Sequence, residues 1–368
     1  LLRFIKIIIN LANNGVTIFR LDAVAYLWKR SASTCVNLKE THEIIRLLRI
    51  VCNSLKSKPI IITETNLPEK ENLSYFGRNN DEAQWIYNFS LPPLLVHSFL
   101  FEDSTYLNRW SKKLPNTKMG NNYLNFIASH DGIGLRPAEG ILDDEALGQL
   151  IDCVEQYGGL LTQRTTADGS ERPYEANISL FDALQGTVDG VDEWQVERFL
   201  LCQCLMMSLA GVPALYYNSI LAAPNNLEGL AETGRNRTIN RKKWTPTELD
   251  AHLAQEEGSS AAQRVLDGIR DMVTIRRAQP AFHPEAEQVC HAVDERLFVL
   301  TRKAVDQELL CVFNLSAETV TFSKGDVGIG SVPEACFLQG TLEDQDKRLS
   351  LSPYAAVWLV QSGSPTGS

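Results

Sequence analysis

Eight cysteines are scattered through 368 residues without a Cys-x-x-Cys pair or a zinc-ligand spacing, so the chain encodes neither a small disulfide framework nor a structural zinc site. Isolated thiols in a chain of this size fit a reducing compartment, and a cytoplasmic location is expected. Positive charge is also short. Thirty-five Lys and Arg face 45 Asp and Glu, a formal net charge of −10. Such a chain repels polyphosphate, which excludes nucleic acid as a partner. The longest apolar stretch, Leu201 to Tyr217, is interrupted by Gln203, Gly211 and Pro213. It is too short to span a bilayer, and no membrane partner is expected. An initiator Met and a signal-peptide plan are missing. The opening Leu1-Leu2-Arg3-Phe4-Ile5 already follows an amphipathic helical pattern, and the sequence is expected to start inside a domain. No internal repeat is present.

What is there is an alternation of short apolar strands and helical stretches. At about 150 residues per domain, the length predicts two or three domains. Strands are expected over Thr17 to Asp22, Pro59 to Glu64, Gln84 to Phe89, Tyr123 to Ala128 and Val212 to Tyr217. Helices are expected over Thr41 to Leu55, from about Pro93, over Trp194 to Leu209 and over Ala261 to Arg277. Alternation of this kind argues for a parallel sheet, whose chemistry gathers at the strand C-termini. Polar residues fall there each time: Asp22, Glu64, Asn88, His130-Asp131 and Asn218. Residues 133–193 form a long Gly-, Asp- and Thr-rich insertion, read as a loop in which Tyr174, Asn177 and Phe181 mark some local order. After Pro280 the helical pattern stops, and short strands joined by turns predict a small antiparallel β domain. The expected organisation is therefore a catalytic part over 1–280, a β-sandwich over 281–362 and a frayed tail at 363–368.

Retaining cleavage of a glycosidic bond needs two carboxyl groups about 5 Å apart, one nucleophilic and one that donates and then accepts a proton. A third carboxylate can stabilise the charge on the ring. Three acids at neighbouring strand ends suit that chemistry. Phe19-Arg20-Leu21-Asp22-Ala23-Val24, Thr63-Glu64-Thr65-Asn66 and Ser129-His130-Asp131 resemble the fourth-, fifth- and seventh-strand motifs of the α-amylase superfamily (glycoside hydrolase family 13). Their separations, about 40 and then about 65 residues, agree. The resemblance implies that Asp22 is the nucleophile, oriented by Arg20. It makes Glu64 the acid/base, Asp131 the transition-state stabiliser and His130 a donor to sugar hydroxyls. Tyr87-Asn88-Phe89-Ser90-Leu91-Pro92-Pro93-Leu94-Leu95-Val96-His97, Gly211-Val212-Pro213 and Ile239-Asn240-Arg241 resemble the sucrose-phosphorylase-like branch of that superfamily. His130-Asp131-Gly132-Ile133-Gly134-Leu135-Arg136-Pro137 is similar to the segment found in glucosylglycerate phosphorylases and sucrose 6-phosphate phosphorylases.

By that resemblance Tyr26 and Arg241 contact the donor glucose, His97 lies near the acceptor site, and Asn225 and Asn226 shape the acceptor and phosphate pocket. Arg136 then reads an anionic acceptor; an ion pair with Glu139 or Asp143 is the alternative. From the residues alone, His97 also reads as a core histidine, and Arg241 with Arg235 and Arg237 as a solvated basic face. The implied reaction transfers glucosyl from an α-glucoside to inorganic phosphate, with phosphate as co-substrate and no metal or organic cofactor. Hydrolysis or transglucosylation by the same three acids stays open, as does a non-catalytic carbohydrate-binding remnant. Glycerate, glycerol, fructose and fructose 6-phosphate remain possible acceptors, and the sequence leaves the oligomeric state open. The resemblance also implies a fold: about strands four to eight of a (β/α)8 barrel, followed by the small β domain. Three barrel strands are unaccounted for, and full activity of this chain alone is not expected.

Overall fold

The computed structural model describes residues 1–117, 120–166, 169–254 and 260–361. Five parallel strands form its first sheet, in the order β1 (Ile18–Leu21), β2 (Ile60–Thr63), β3 (Trp85–Tyr87), β4 (Asn122–Asn125) and β10 (Val212–Pro213). Leu21 pairs with Thr63, Thr63 with Ile86, Tyr87 with Leu124 and Leu124 with Val212, so the C-terminal ends line one edge. Ile60-Ile61-Ile62-Thr63 shows why. β-branched side chains favour extended backbone, and a strand covered on both faces must be apolar throughout. The intervening helix Lys39–Ser54 buries Thr41, Ile45, Leu48 and Cys52, the one-sided spacing of a helix laid on a sheet. Gln195–Ser208 is buried almost all round, because it is packed between the strands and the C-terminal layers.

Both outer strands, β1 and β10, lack a second neighbour among the described residues. Beside β1, the helix Leu2–Asn13 buries only Ile8 and Ala12 and leaves Leu2, Phe4, Ile7 and Leu11 exposed.

Residues 133–193 are not the long loop expected from their composition. They contain β5 (Ile133–Gly134), the helix Asp144–Gln156, the hairpin of β6 (Leu160–Thr165) and β7 (Glu171–Asn177), and a small pair of strands, β8 (Gly186–Thr187) and β9 (Gly190–Val191). The helix was legible in principle. Asp143 caps it, its side chain accepting from the Ala146 N–H at 2.9 Å, and Ala146, Leu150, Cys153 and Val154 form its buried face.

The C-terminal strands form a five-stranded antiparallel sheet and a three-stranded one, sharing a core of Leu297, Val299, Leu310, Val312, Phe322, Leu349 and Val357. Trp358 Nε1 donates to Ser208 Oγ at 2.8 Å, and the buried Arg302 donates to the Ser208 carbonyl at 2.9 Å. Both contacts fasten these layers to the helix Gln195–Ser208. The expected tail at 363–368 lies outside the described residues. Among the described residues no helix is long and apolar enough to cross a membrane.

Candidate active site

Asp22, Glu64 and Asn88 each follow the last residue of a parallel strand, and Asp131 is carried to the same edge by the loop after β4. Arg20, on β1, joins the first two. Its Nη1 lies 2.5 Å from Asp22 Oδ1 and its Nη2 3.8 Å from Glu64 Oε2. Its Nε donates to the Tyr87 hydroxyl at 2.9 Å. Tyr87 is in turn stacked on Phe89 and edge-on to Phe126, so the guanidinium rests on an aromatic base. Ala23 takes a left-handed conformation (φ 44°), uncommon for a residue with a Cβ. That turn directs its N–H to Glu64 Oε2 at 2.6 Å. The Asp22 side chain is 74% exposed, that of Glu64 only 12%. Burial pushes the Glu64 carboxyl above its ordinary range. The Ala23 N–H and Arg20 oppose that shift, and the charges of Asp22 and Asp131 add to it.

Asp131 is held differently. Arg237 Nη1 and Arg241 Nη2 reach its Oδ1 at 2.7 and 2.8 Å, while His130 Nε2 stands 3.6 Å from Oδ2. Asn240 Nδ2 donates to the Asp131 carbonyl at 2.7 Å and to that of Ser129 at 3.0 Å, and Arg241 Nε donates to the His130 carbonyl. Behind Arg237 stands Glu175 of β7, fully buried, which accepts from Arg237 Nε at 3.0 Å and from the Gly132 N–H at 2.5 Å. A Cβ on Gly132 would lie 2.6 Å from the Ala176 carbonyl oxygen, and one on Gly134 2.7 Å from Asn66 Oδ1. The glycines after Asp131 therefore let the hairpin and the Glu64 strand close against this loop.

Tyr26 and Tyr174 share a hydroxyl contact, and burial pushes the Tyr174 hydroxyl up to about 12. They border an open cleft of about 1050 Å³, whose other walls include Asn37, Arg136, Thr162 and Arg164. The Nε atoms of Arg136 and Arg164 are buried without a hydrogen-bond partner. Glu139 pairs with Arg164 at 2.7 Å, while Asp143 accepts from Tyr106 and Ala146. Among the described residues no ion pair engages Arg136, so the loop pairing with Glu139 or Asp143 is not formed.

Three further expected site residues are engaged in packing or loop contacts. His97 is buried in the helix Leu91–Leu100, its ring 4.7 Å from Phe101 and 5.3 Å from Tyr106. The helix carries it into the outer core, and burial lowers its pKa. Asn225 accepts from the Ser179 N–H at 2.8 Å, and its own N–H donates to Asp182. Asn226 caps the helix Leu227–Thr233, accepting from the Gly229 N–H at 3.1 Å. Both carboxamides are thus engaged in holding loops together. Arg237, read from sequence as part of a solvated face, is instead a partner of Asp131. Glu175 and Asn240 went unassigned, because a lone acid in a polar hairpin and an amide beside an arginine carry no spacing signal.

No family model matches the chain. The glucosylglycerate phosphorylase of Spirochaeta thermophila is 40% identical over 98% of this chain and 62% of its own length. That of Allomeiothermus silvanus is 34% identical with the same coverage. Sucrose phosphorylases are more distant; the Agrobacterium vitis enzyme is 24% identical. The chain thus spans less than two thirds of the length of these relatives. Among solved structures, sucrose 6F-phosphate phosphorylase from Thermoanaerobacter thermosaccharolyticum superposes with a TM-score of 0.71 at 22% identity, covering 87% of this chain and 60% of its own. Over nearly its whole length the chain is thus similar to glucosylglycerate phosphorylases, and it shares the fold of the sucrose 6F-phosphate phosphorylase structure.

Proposed function

We propose that the protein transfers a glucosyl group from an α-glucoside to inorganic phosphate, giving α-glucose 1-phosphate with retained configuration. One observation carries the reading. Asp22 and Glu64 share the Arg20 guanidinium, and Asp131 is close enough to raise the Glu64 carboxyl. Asp22 attacks the anomeric carbon and forms a glucosyl ester. Glu64, whose buried carboxyl holds its proton above the usual carboxylate range, gives that proton to the departing oxygen. Asp131 faces the positive charge that develops on the ring. A phosphate oxygen then attacks the anomeric carbon from the face opposite Asp22, the bond from that carbon to Asp22 breaks to release the carboxylate, and the phosphate proton passes to Glu64 or stays on phosphate. Tyr26, His130 and Arg241 contact the donor sugar. In the cleft beyond Tyr26 and Tyr174, the Arg136 guanidinium, which no ion pair engages among the described residues, meets an anionic acceptor, a carboxylate or a phosphate. The relatives named for glucosylglycerate, an anionic glucoside, favour that class. No metal or organic cofactor enters this scheme.

The five parallel strands are part of an eight-stranded barrel. Closure would pair β1 and β10 and cover Ile18 and the apolar face of the helix Leu2–Asn13. The working protein is cytoplasmic, consistent with eight free thiols. The deciding experiment measures glucose 1-phosphate against free glucose, with and without phosphate. The exposed Asp22 carboxylate favours one competing reading, in which water resolves the ester. Turnover that ignores phosphate would establish hydrolysis and dismiss the phosphorylase.

A further inference from the structure

We infer that Glu175, acting through Arg237, is a positioning residue for Asp131; the inference rests on the glucosyl-transfer reading above. The hairpin strand β7 runs beside β5, with Gly134 opposite Glu175. Consecutive residues on a strand point to opposite faces. Tyr174 accordingly meets Tyr26 on the Glu64 side, and Glu175 meets Gly132 and Arg237 on the Asp131 side. The hairpin is a working wall of the site.

Glu175 has one oxygen on the Gly132 N–H and the other on Arg237 Nε. A guanidinium is planar and rigid, so fixing one edge aims the other. The aimed nitrogen, Nη1, meets Asp131 Oδ1, which Arg241 also holds. With Oδ1 gripped twice, Oδ2 is the oxygen left for the sugar. Charge matters as much as direction. Asp131 and Glu175 balance Arg237 and Arg241. Neutralising Glu175 leaves one uncompensated positive charge beside a ring that becomes positive in the transition state, and Glu175 is buried where screening is weak.

The test compares Glu175→Gln, Arg237→Gln and the double variant for kcat, KM and thermal unfolding midpoint. Each single change is expected to lower kcat about 10- to 100-fold with KM within about threefold. The double variant should be no slower than the slower single one, because the two residues act as one unit. Losses that multiply overturn the inference, and so does a lowered midpoint with kcat unchanged. Phosphate-independent turnover of the unsubstituted protein would remove the phosphorylase reading and leave this comparison intact, since Asp131 serves both reactions. If the protein shows no glucosyl chemistry at all, the enzymatic reading fails. The clamp is then judged on the unfolding midpoints of Glu175→Gln, Asp131→Asn and their combination. Non-additive shifts support it and additive shifts overturn it.

Discussion

Glu64 and Asp131 lie along one edge of the same sheet, yet their surroundings differ in kind. Glu64 is enclosed, with one backbone N–H at 2.6 Å and a guanidinium no nearer than 3.8 Å. Burial outweighs those two partners and raises its carboxyl. Asp131 is a quarter exposed and meets two guanidinium groups at 2.7 and 2.8 Å. One carboxyl is prepared by desolvation to carry a proton. The other is prepared by pairing to hold charge in a fixed direction. A site that needs an acid and an electrostatic partner obtains them from identical functional groups by changing what surrounds each.

The largest expected effects come from erasing each side of that contrast. Glu64→Gln should lower glucosyl transfer by about 10²- to 10⁴-fold, and Asp131→Asn by about 10²- to 10³-fold. Their pH profiles should differ. The acid step requires protonated Glu64, so kcat in the native protein declines as pH rises through its folded pKa. Asp131 helps to raise that value, so Asp131→Asn should move the alkaline limb to lower pH. An unmoved limb would break the proposed link between the two carboxylates. Glu64→Gln also bears on stability. Because the folded pKa lies above the unfolded one, the native state binds more protons, and stability falls as pH rises between those two values. Glu64→Gln removes that decline. The variant should unfold at a higher temperature than the native protein above the carboxylate range while being nearly inactive.

Arg136→Ala should have a smaller and selective effect. In the reverse reaction from glucose 1-phosphate, a lost charged hydrogen bond costs about 1.5–3 kcal/mol, or about 10- to 100-fold for anionic acceptors. Neutral acceptors should change less than about threefold. Equal losses for both classes would detach the cleft from anion recognition.

The strand side of the site was legible in sequence because its signal is local. A run such as Ile60-Ile61-Ile62 specifies a buried strand, and the acid that ends it can only emerge at the sheet edge. Arg20 lies on β1 and Asp22 follows the strand's last residue, two positions on, so their contact is nearly local. The hairpin side was illegible because its contacts span long separations. Glu175 meets Arg237 across 62 positions, and Arg241 meets Asp131 across 110. No periodicity encodes such pairs. Composition also misled: a Gly- and Thr-rich stretch was read as a loop, although Glu171–Asn177 pairs along both β5 and β6. The contacts of Asn225 and Asn226 were illegible for a related reason, since an amide that caps a helix or ties two loops looks in sequence like one that binds a ligand.

The smallest expected effect tests the residue that the fold moved away from the carboxylates. His97 lies among Phe101 and Tyr106, with Nδ1 unpartnered and the charges of Asp103 and Asp143 nearby. Burial lowers its pKa despite both acids, so the folded protein keeps the neutral imidazole. A base whose folded pKa is depressed contributes stability that is lost as pH falls below its unfolded value, about 6.5. His97→Leu fills the same space without a titrating group. It should flatten the acid side of the unfolding-midpoint curve and leave kcat and the acceptor KM within about twofold, as expected for a buried residue outside the site. A large change in acceptor KM with an unchanged midpoint curve would return His97 to the acceptor site and show that the helix Leu91–Leu100 contributes to binding as well as to packing.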